Sequence, residues 1–144
     1  MDLQALSDKL EIQEALARYA RAVDDKDWAL WKTVFTPDAH IDYRSAGGSV
    51  GGRDEIANWL RDSLEHFSMT QHYITNIEIE LDGDEARVIA LFYNPMIYPG
   101  ATGLSYCGGR YHHRFVRTPE GWKSRNLREE NQWFVKAPGD AKEQ

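Results

Sequence analysis

The chain has 144 residues, 42% of them hydrophobic and 28% charged, which fits one globular domain with a real core. A net charge of −6 without any Lys/Arg run argues against nucleic acid and anionic membranes as partners. No stretch approaches the roughly 18 apolar residues of a membrane span, and residues 1–14 are too mixed and charged for a signal peptide. Cys107 is the single cysteine, so no intrachain disulfide can form and a reducing, cytoplasmic setting is expected. No CxxC or HExxH spacing marks a metal site. Five Trp and seven Tyr suit either a large core or a site for a flat apolar ligand.

In chain order, residues 7–23 read as a helix with Ser7 as N-cap and an apolar stripe of Ile12, Leu16, Tyr19, Ala20 and Val23. Asp24-Asp25-Lys26-Asp27 ends it. Asp27 caps a second, short helix, Trp28 to Phe35, which Thr36-Pro37-Asp38 breaks. Ala39 to Arg44 reads as a strand. The glycine-rich loop 46–52 lacks P-loop and GxGxxG spacing. A third helix spans 53–67, with Ile56, Leu60, Leu64 and Phe67 buried.

Four strands follow by alternation: Met69 to Leu81, Glu85 to Met96, Leu104 to Arg117 and Gly121 to Phe134. Asp82-Gly83-Asp84 is a hairpin signal. Pro95, Pro99 and Gly100 mark a rim loop. The domain is expected over 1–137, with a polar tail at 138–144. Helices first, then antiparallel strands, is an α+β layout. A curved sheet with helices on its concave side would leave a cone-shaped cavity.

The stretch Thr70-Gln71-His72-Tyr73-Ile74-Thr75-Asn76 places His72, Ile74 and Asn76 on one side by alternation. One face thus carries a titratable ring and an amide. Asp24 is the best partner for His72. It follows Val23 directly and lies five positions after Tyr19, near the inward stripe, whereas Asp25 points to solvent.

Three short pieces carry a family resemblance: Val23-Asp24-Asp25-Lys26-Asp27-Trp28, Ile41-Asp42-Tyr43-Arg44-Ser45 and Thr70-Gln71-His72-Tyr73-Ile74. They resemble segments of scytalone dehydratase-like proteins. The element order resembles the SnoaL-like group of the nuclear transport factor 2-like (NTF2-like) superfamily, of which Gly121-Trp122-Lys123 is a general feature. The resemblance implies an NTF2-like cone, a curved, mixed but mostly antiparallel sheet packed against three N-terminal helices around a pocket. It implies that Asp24 is the catalytic aspartate and His72 its partner. Tyr43 falls on a tyrosine that polarises a substrate carbonyl, and Arg128 falls near an arginine used by related dehydrochlorinases and bile-acid dehydratases. Val23 stands where the family has a tyrosine. Tyr98 falls near a second pocket histidine, and Arg110 and His112 near a serine and an asparagine. Homo-oligomers, dimers or trimers, are implied too. An exposed sheet face near Trp122, Trp133 and Phe134 agrees with that.

Chemically, a carboxylate that accepts one ring N–H fixes the histidine tautomer and leaves the other nitrogen as base. His72 would take a proton from carbon and return it to a departing hydroxyl, while Tyr43 or Arg128 holds the oxygen on which charge develops. No metal or organic cofactor is needed. The expected function is a dehydratase-type lyase acting on a hydrophobic cyclic or aromatic molecule with a carbonyl and a hydroxyl. Tyr19, Val23, Asn76, Tyr98, His112 and Trp133 are the candidate substrate contacts.

Plainer readings exist for each. His72 could be a satisfied core histidine, Asp24 a helix-end residue, Tyr43 a packing residue and Arg128 an ion-pair partner of Glu129 or Glu130. Asp42 and Arg44 read as a cross-strand salt bridge. His112 and His113 are adjacent and must face opposite sides of their strand. The rival functions are a binding module or structural subunit, as in ring-hydroxylating dioxygenase small subunits, and an isomerase, dehydrohalogenase or carbon–carbon lyase with the same dyad. An epoxide hydrolase or cyclase lacks a clear constellation here.

Overall fold

The computed structural model describes residues 2–138, so the expected polar tail lies outside the described residues from 139 on. The elements are α1 (Leu3–Asp24), α2 (Trp28–Thr33), β1 (Phe35–Asp42), a 3-10 turn (Arg44–Ala46), β2 (Val50–Gly52), α3 (Arg53–Leu64), β3 (Met69–Thr70), β4 (Tyr73–Asp82), β5 (Glu85–Ile97), β6 (Ser105–Thr118) and β7 (Gly121–Val135). The expected α+β cone of three helices on a curved, mixed sheet is the observed one.

The seven strands run β2-β1-β7-β6-β5-β3, with β4 continuing along the β5 edge. Among the described residues only β1 and β7 pair in parallel; the other pairs are antiparallel. The inward faces of β5 and β6 alternate cleanly: Ala86, Val88, Ala90, Phe92 and Met96 are buried, as are Tyr111, His113 and Phe115. One core cluster lies under α1 around Ile12, Leu16, Val88 and Phe115. The other surrounds Tyr19, Trp31, Phe35, Ile41 and Tyr111 beneath α2 and α3.

Several boundaries differ from the expected ones, each for a local reason. Asp2, not Ser7, caps α1, its carboxylate accepting from Ala5 N at 2.8 Å. Phe35 leaves α2 and starts β1, because its ring packs on Trp31 with centroids 4.6 Å apart. The glycine loop contributes β2 to the sheet edge. The first long strand breaks into β3 and β4. The Asp82–Glu85 hairpin forms as expected, with Gly83 at φ +62 in its two-residue turn. Arg44 bonds Asp42 two residues away at 2.9 Å, not across strands.

Trp122 is buried and is no part of an exposed face. Its backbone N–H donates to Glu11, and its indole N–H donates to Asp8 at 3.0 Å. Arg117 donates twice to the same Asp8 carboxylate, at 2.9 Å each, and lies over the Trp122 ring. This group ties α1 to the β6–β7 hairpin. The Arg117 bonds hold the Asp8 carboxyl well below the usual carboxylate range. A depressed carboxylate pKa contributes stability above its ordinary value and loses it as pH falls. Asp8→Asn is expected to cost about 2–4 kcal/mol in urea unfolding at pH 7. The variant should differ from wild type less and less as the pH is lowered below about 4.

Candidate active site

The site begins at the gap between β3 and β4. Gln71 still donates its N–H to Pro95 at 3.0 Å, but His72 is out of the ladder. A half-buried backbone N–H without a partner is costly, and Asp24, the last residue of α1, supplies that partner. Asp24 Oδ2 accepts from His72 N at 2.8 Å, and Oδ1 contacts His72 Nδ1 at 2.7 Å. Thr70 Oγ1 donates to the same Oδ1 at 3.1 Å. One carboxylate thus holds both the backbone and the ring of His72. With Nδ1–H donated to Asp24, the imidazole keeps its Nε2 lone pair. Lys26, at φ +56, anchors the α1–α2 turn by donating to the carbonyls of Glu65 and Phe67. Asp25 is solvent-exposed.

His72 forms part of the wall of a cavity of about 390 Å³ between sheet and helices. Aromatic rings dominate it: Tyr19, Tyr43, Trp59, Phe67, Phe92, Tyr98, Tyr111 and Phe134. The Tyr19 and Tyr43 hydroxyls meet at 2.5 Å. Burial pushes both phenols, and that of Tyr111, well above their ordinary range, so all three stay protonated. Burial also pushes the Cys107 thiol on the same wall up to about 11.

The structure thus brings Asp24 to His72 and places Tyr19, Val23, Tyr43 and Tyr98 in the cavity wall. Four other expected contacts lie elsewhere. Asn76 has φ +51 at a bulge between Thr75 and Glu78, which slips the alternation and exposes its side chain. Arg128 lies between two buried residues, Leu127 and Glu129, so it points out of the other face of β7. His112 also faces outward, 2.7 Å from Glu130, and joins Arg128 in a charged depression. His113 faces the core, where Nδ1 meets Ser124 Oγ at 2.8 Å and burial pulls the ring down to about 3. Trp133 sits over Gly108 on the outer face, half exposed, while Phe134 takes the place at the cavity.

Among the polar residues of the wall that were not anticipated, two have a buried oxygen without a partner. Asn94, inward on β5, has a buried Oδ1 without a hydrogen-bond partner. Glu129 is nine-tenths buried, and its Oε1 likewise has none. Burial pushes its carboxyl up to about 7, and the negative charge of Asp42 adds to the shift. The signal for Glu129 was present in the sequence, since it shares a strand face with Leu127.

The profile of the SnoaL-like domain family matches residues 4–128. The chain belongs to that family. An uncharacterised protein of Mycobacterium tuberculosis is 39% identical over 124 residues, 85% of this chain and 84% of its own length. A candidate scytalone dehydratase from Novosphingobium aromaticivorans superposes with a TM-score of 0.83 at 20% identity, over 92% of this chain and 89% of that one. A hexachlorocyclohexane dehydrochlorinase from Novosphingobium barchaimii superposes with a TM-score of 0.84 at 18% identity, over 96% of each chain. At these identities the two structures share the fold, which is the NTF2-like cone.

The raised Glu129 pKa has a testable consequence for this SnoaL-like domain. An acid held above its ordinary 4.5 binds its proton more tightly in the folded state. Its contribution to stability is therefore complete below that value and is lost as pH rises toward 7 and beyond. Glu129→Gln is expected to match wild type at pH 5 and to exceed it at pH 8 by on the order of 2–3 kcal/mol, read by urea unfolding at both pH values.

Proposed function

We propose that this SnoaL-like protein is a cofactor-independent lyase of dehydratase type. Its substrate is a hydrophobic cyclic or aromatic molecule carrying a carbonyl and a hydroxyl, and Asp24 and His72 are its acid–base dyad. The observation that carries this reading is the 2.7 Å contact of His72 Nδ1 with Asp24, with His72 in the wall of an aromatic cavity. Asp24 holds the ring and its tautomer. His72 Nε2 takes a proton from the carbon beside the carbonyl, and the imidazolium then protonates the departing hydroxyl, so one residue serves as base and acid.

The aromatic walls suit a flat apolar ring, and the buried hydroxyls and carboxyl supply polar contacts for its oxygens. Tyr19, Val23, Tyr43 and Tyr98 are the substrate contacts of this reading. The shared fold with a candidate scytalone dehydratase and a dehydrochlorinase supports elimination as the reaction class. With a halide as leaving group, the same dyad would catalyse dehydrohalogenation. Tyr73, Tyr93, Tyr106 and Trp133 form an aromatic patch on the outer sheet face, which supports a homo-oligomer measurable by light scattering.

The reading is tested with 3-hydroxy-1-tetralone, a bicyclic β-hydroxy ketone whose dehydration yields fluorescent 1-naphthol. Wild type is expected to accelerate naphthol formation. Asp24→Asn and His72→Gln should each lower kcat by about a hundred- to ten-thousandfold while leaving the circular dichroism spectrum unchanged. Full activity in folded His72→Gln would rule out the dyad.

A further inference from the structure

Elimination beside a carbonyl needs a donor for the oxygen on which charge develops, as well as a base. Of the two residues expected to supply that donor, one is turned away from the cavity and the other shares a hydroxyl pair in which a single O–H is left to donate. Arg128 points to the outer face of the sheet. The Tyr43 hydroxyl is paired with Tyr19 at 2.5 Å. One position beyond Arg128, the chain turns a carboxyl into the cavity instead.

We infer that Glu129, as the neutral acid, is the catalytic hydrogen-bond donor to the substrate's carbonyl oxygen, acting opposite the His72 base. The inference rests on the dyad reading and adds a second participating residue to it.

The geometry supports this in three ways. Glu129 lines the same cavity as His72 but from another wall: β7 lies two strands away from β5, beside which His72 sits. A ligand spanning the cavity would therefore meet a base on one side and an acid on the other. Glu129 Oε1 is buried without a partner, which is costly unless a ligand completes it. The backbone of Glu129 is held in place, because its carbonyl accepts from Ser45 Oγ at 2.7 Å while the same hydroxyl accepts from Asn131 N at 2.8 Å.

The surroundings favour the protonated form. Burial disfavours the charged form, and the negative charge of Asp42 on the neighbouring strand β1 adds to this. The phenols of Tyr19, Tyr43 and Tyr111 and the Cys107 thiol also sense its charge, and burial holds all four neutral. Asp42 is itself paired with Arg44, and His72 lies in the wall of the same cavity.

The step balances without a co-reactant. His72 Nε2 removes the proton from the carbon next to the carbonyl, and the C–H electron pair becomes the C=C bond of an enolate. The carbonyl π pair moves to oxygen, where the Glu129 O–H donates a hydrogen bond and keeps its proton. In collapse, the oxygen's electrons re-form the C=O bond, the C=C pair shifts to expel the β-hydroxyl, and the hydroxyl leaves as water with the proton from His72. The products are an enone and water, and both residues regain their starting states.

The test uses full-length protein, 3-hydroxy-1-tetralone as probe, and Glu129→Leu and Glu129→Gln alongside wild type, with folding checked by circular dichroism. Glu129→Leu removes the donor and is expected to lower kcat by about a hundredfold or more. Wild-type kcat/KM should fall above about pH 7 as Glu129 ionises. Glu129→Gln, which keeps an N–H donor, should retain measurable turnover without that alkaline fall. A merely structural role would not move the pH profile.

If wild type dehydrates the tetralone and folded Glu129→Leu stays within about threefold of it, the Glu129 inference is overturned and the dyad reading stands. An alkaline fall that persists unchanged in Glu129→Gln overturns it equally. If wild type does not dehydrate the tetralone at all, the lyase reading falls and this inference with it.

Discussion

One carboxylate holds the site together. Asp24 ends α1 and accepts three hydrogen bonds from the sheet edge: the His72 backbone, the His72 ring and the Thr70 hydroxyl. The bond to the backbone matters as much as the one to the ring. Had β3 and β4 been continuous, the His72 N–H would sit in a strand ladder and strand alternation would set the direction of its ring. The gap frees that N–H, Asp24 takes it up, and the imidazole is oriented from two points at once. The same contacts bind the end of the helix to the sheet, so the cavity's edge and the His72 ring are positioned by one group.

Behind that edge, the cone creates an environment with a consistent chemical bias. Aromatic rings line it, and burial keeps three phenols and a thiol in their neutral forms and raises a carboxylic acid to about 7. Low polarity strengthens each hydrogen bond made inside and disfavours any new charge without a partner. A wall rich in neutral donors is suited to stabilising negative charge that develops on a bound oxygen, and His72 with Asp24 is suited to creating it. The Asp8–Arg117–Trp122 group, by contrast, lies where α1 meets the β6–β7 hairpin and serves the scaffold.

Much of this was legible in the sequence. The helix stripes, the Asp82-Gly83-Asp84 turn and the long alternating strands announced the α+β cone, and the Thr70–Asn76 stretch pointed to His72. What was not legible came from departures from strict alternation. The bulge after Thr75 turned Asn76 out of the expected face, and the break before Tyr73 is visible only once Asp24 is known to satisfy the freed N–H. Arg128 and Glu129 lie on opposite faces of β7, and the sequence reading took the outward one. A charged residue beside a family motif drew attention outward, while the face shared by Leu127 and Glu129 carried the inward carboxyl. Burying an acid runs against the usual expectation for Glu, so the face it shares with Leu127 was an easy signal to pass over.

The most direct measurement is hydrogen exchange at carbon in a ligand that has no leaving group. Protein is mixed with 1-tetralone in D2O, and loss of the proton signal beside the carbonyl is followed by NMR. The account predicts that wild type exchanges these protons well above the buffer rate and that folded His72→Gln does not. Exchange no faster than buffer with wild type, or undiminished exchange with His72→Gln, would contradict the claim that His72 is a carbon base.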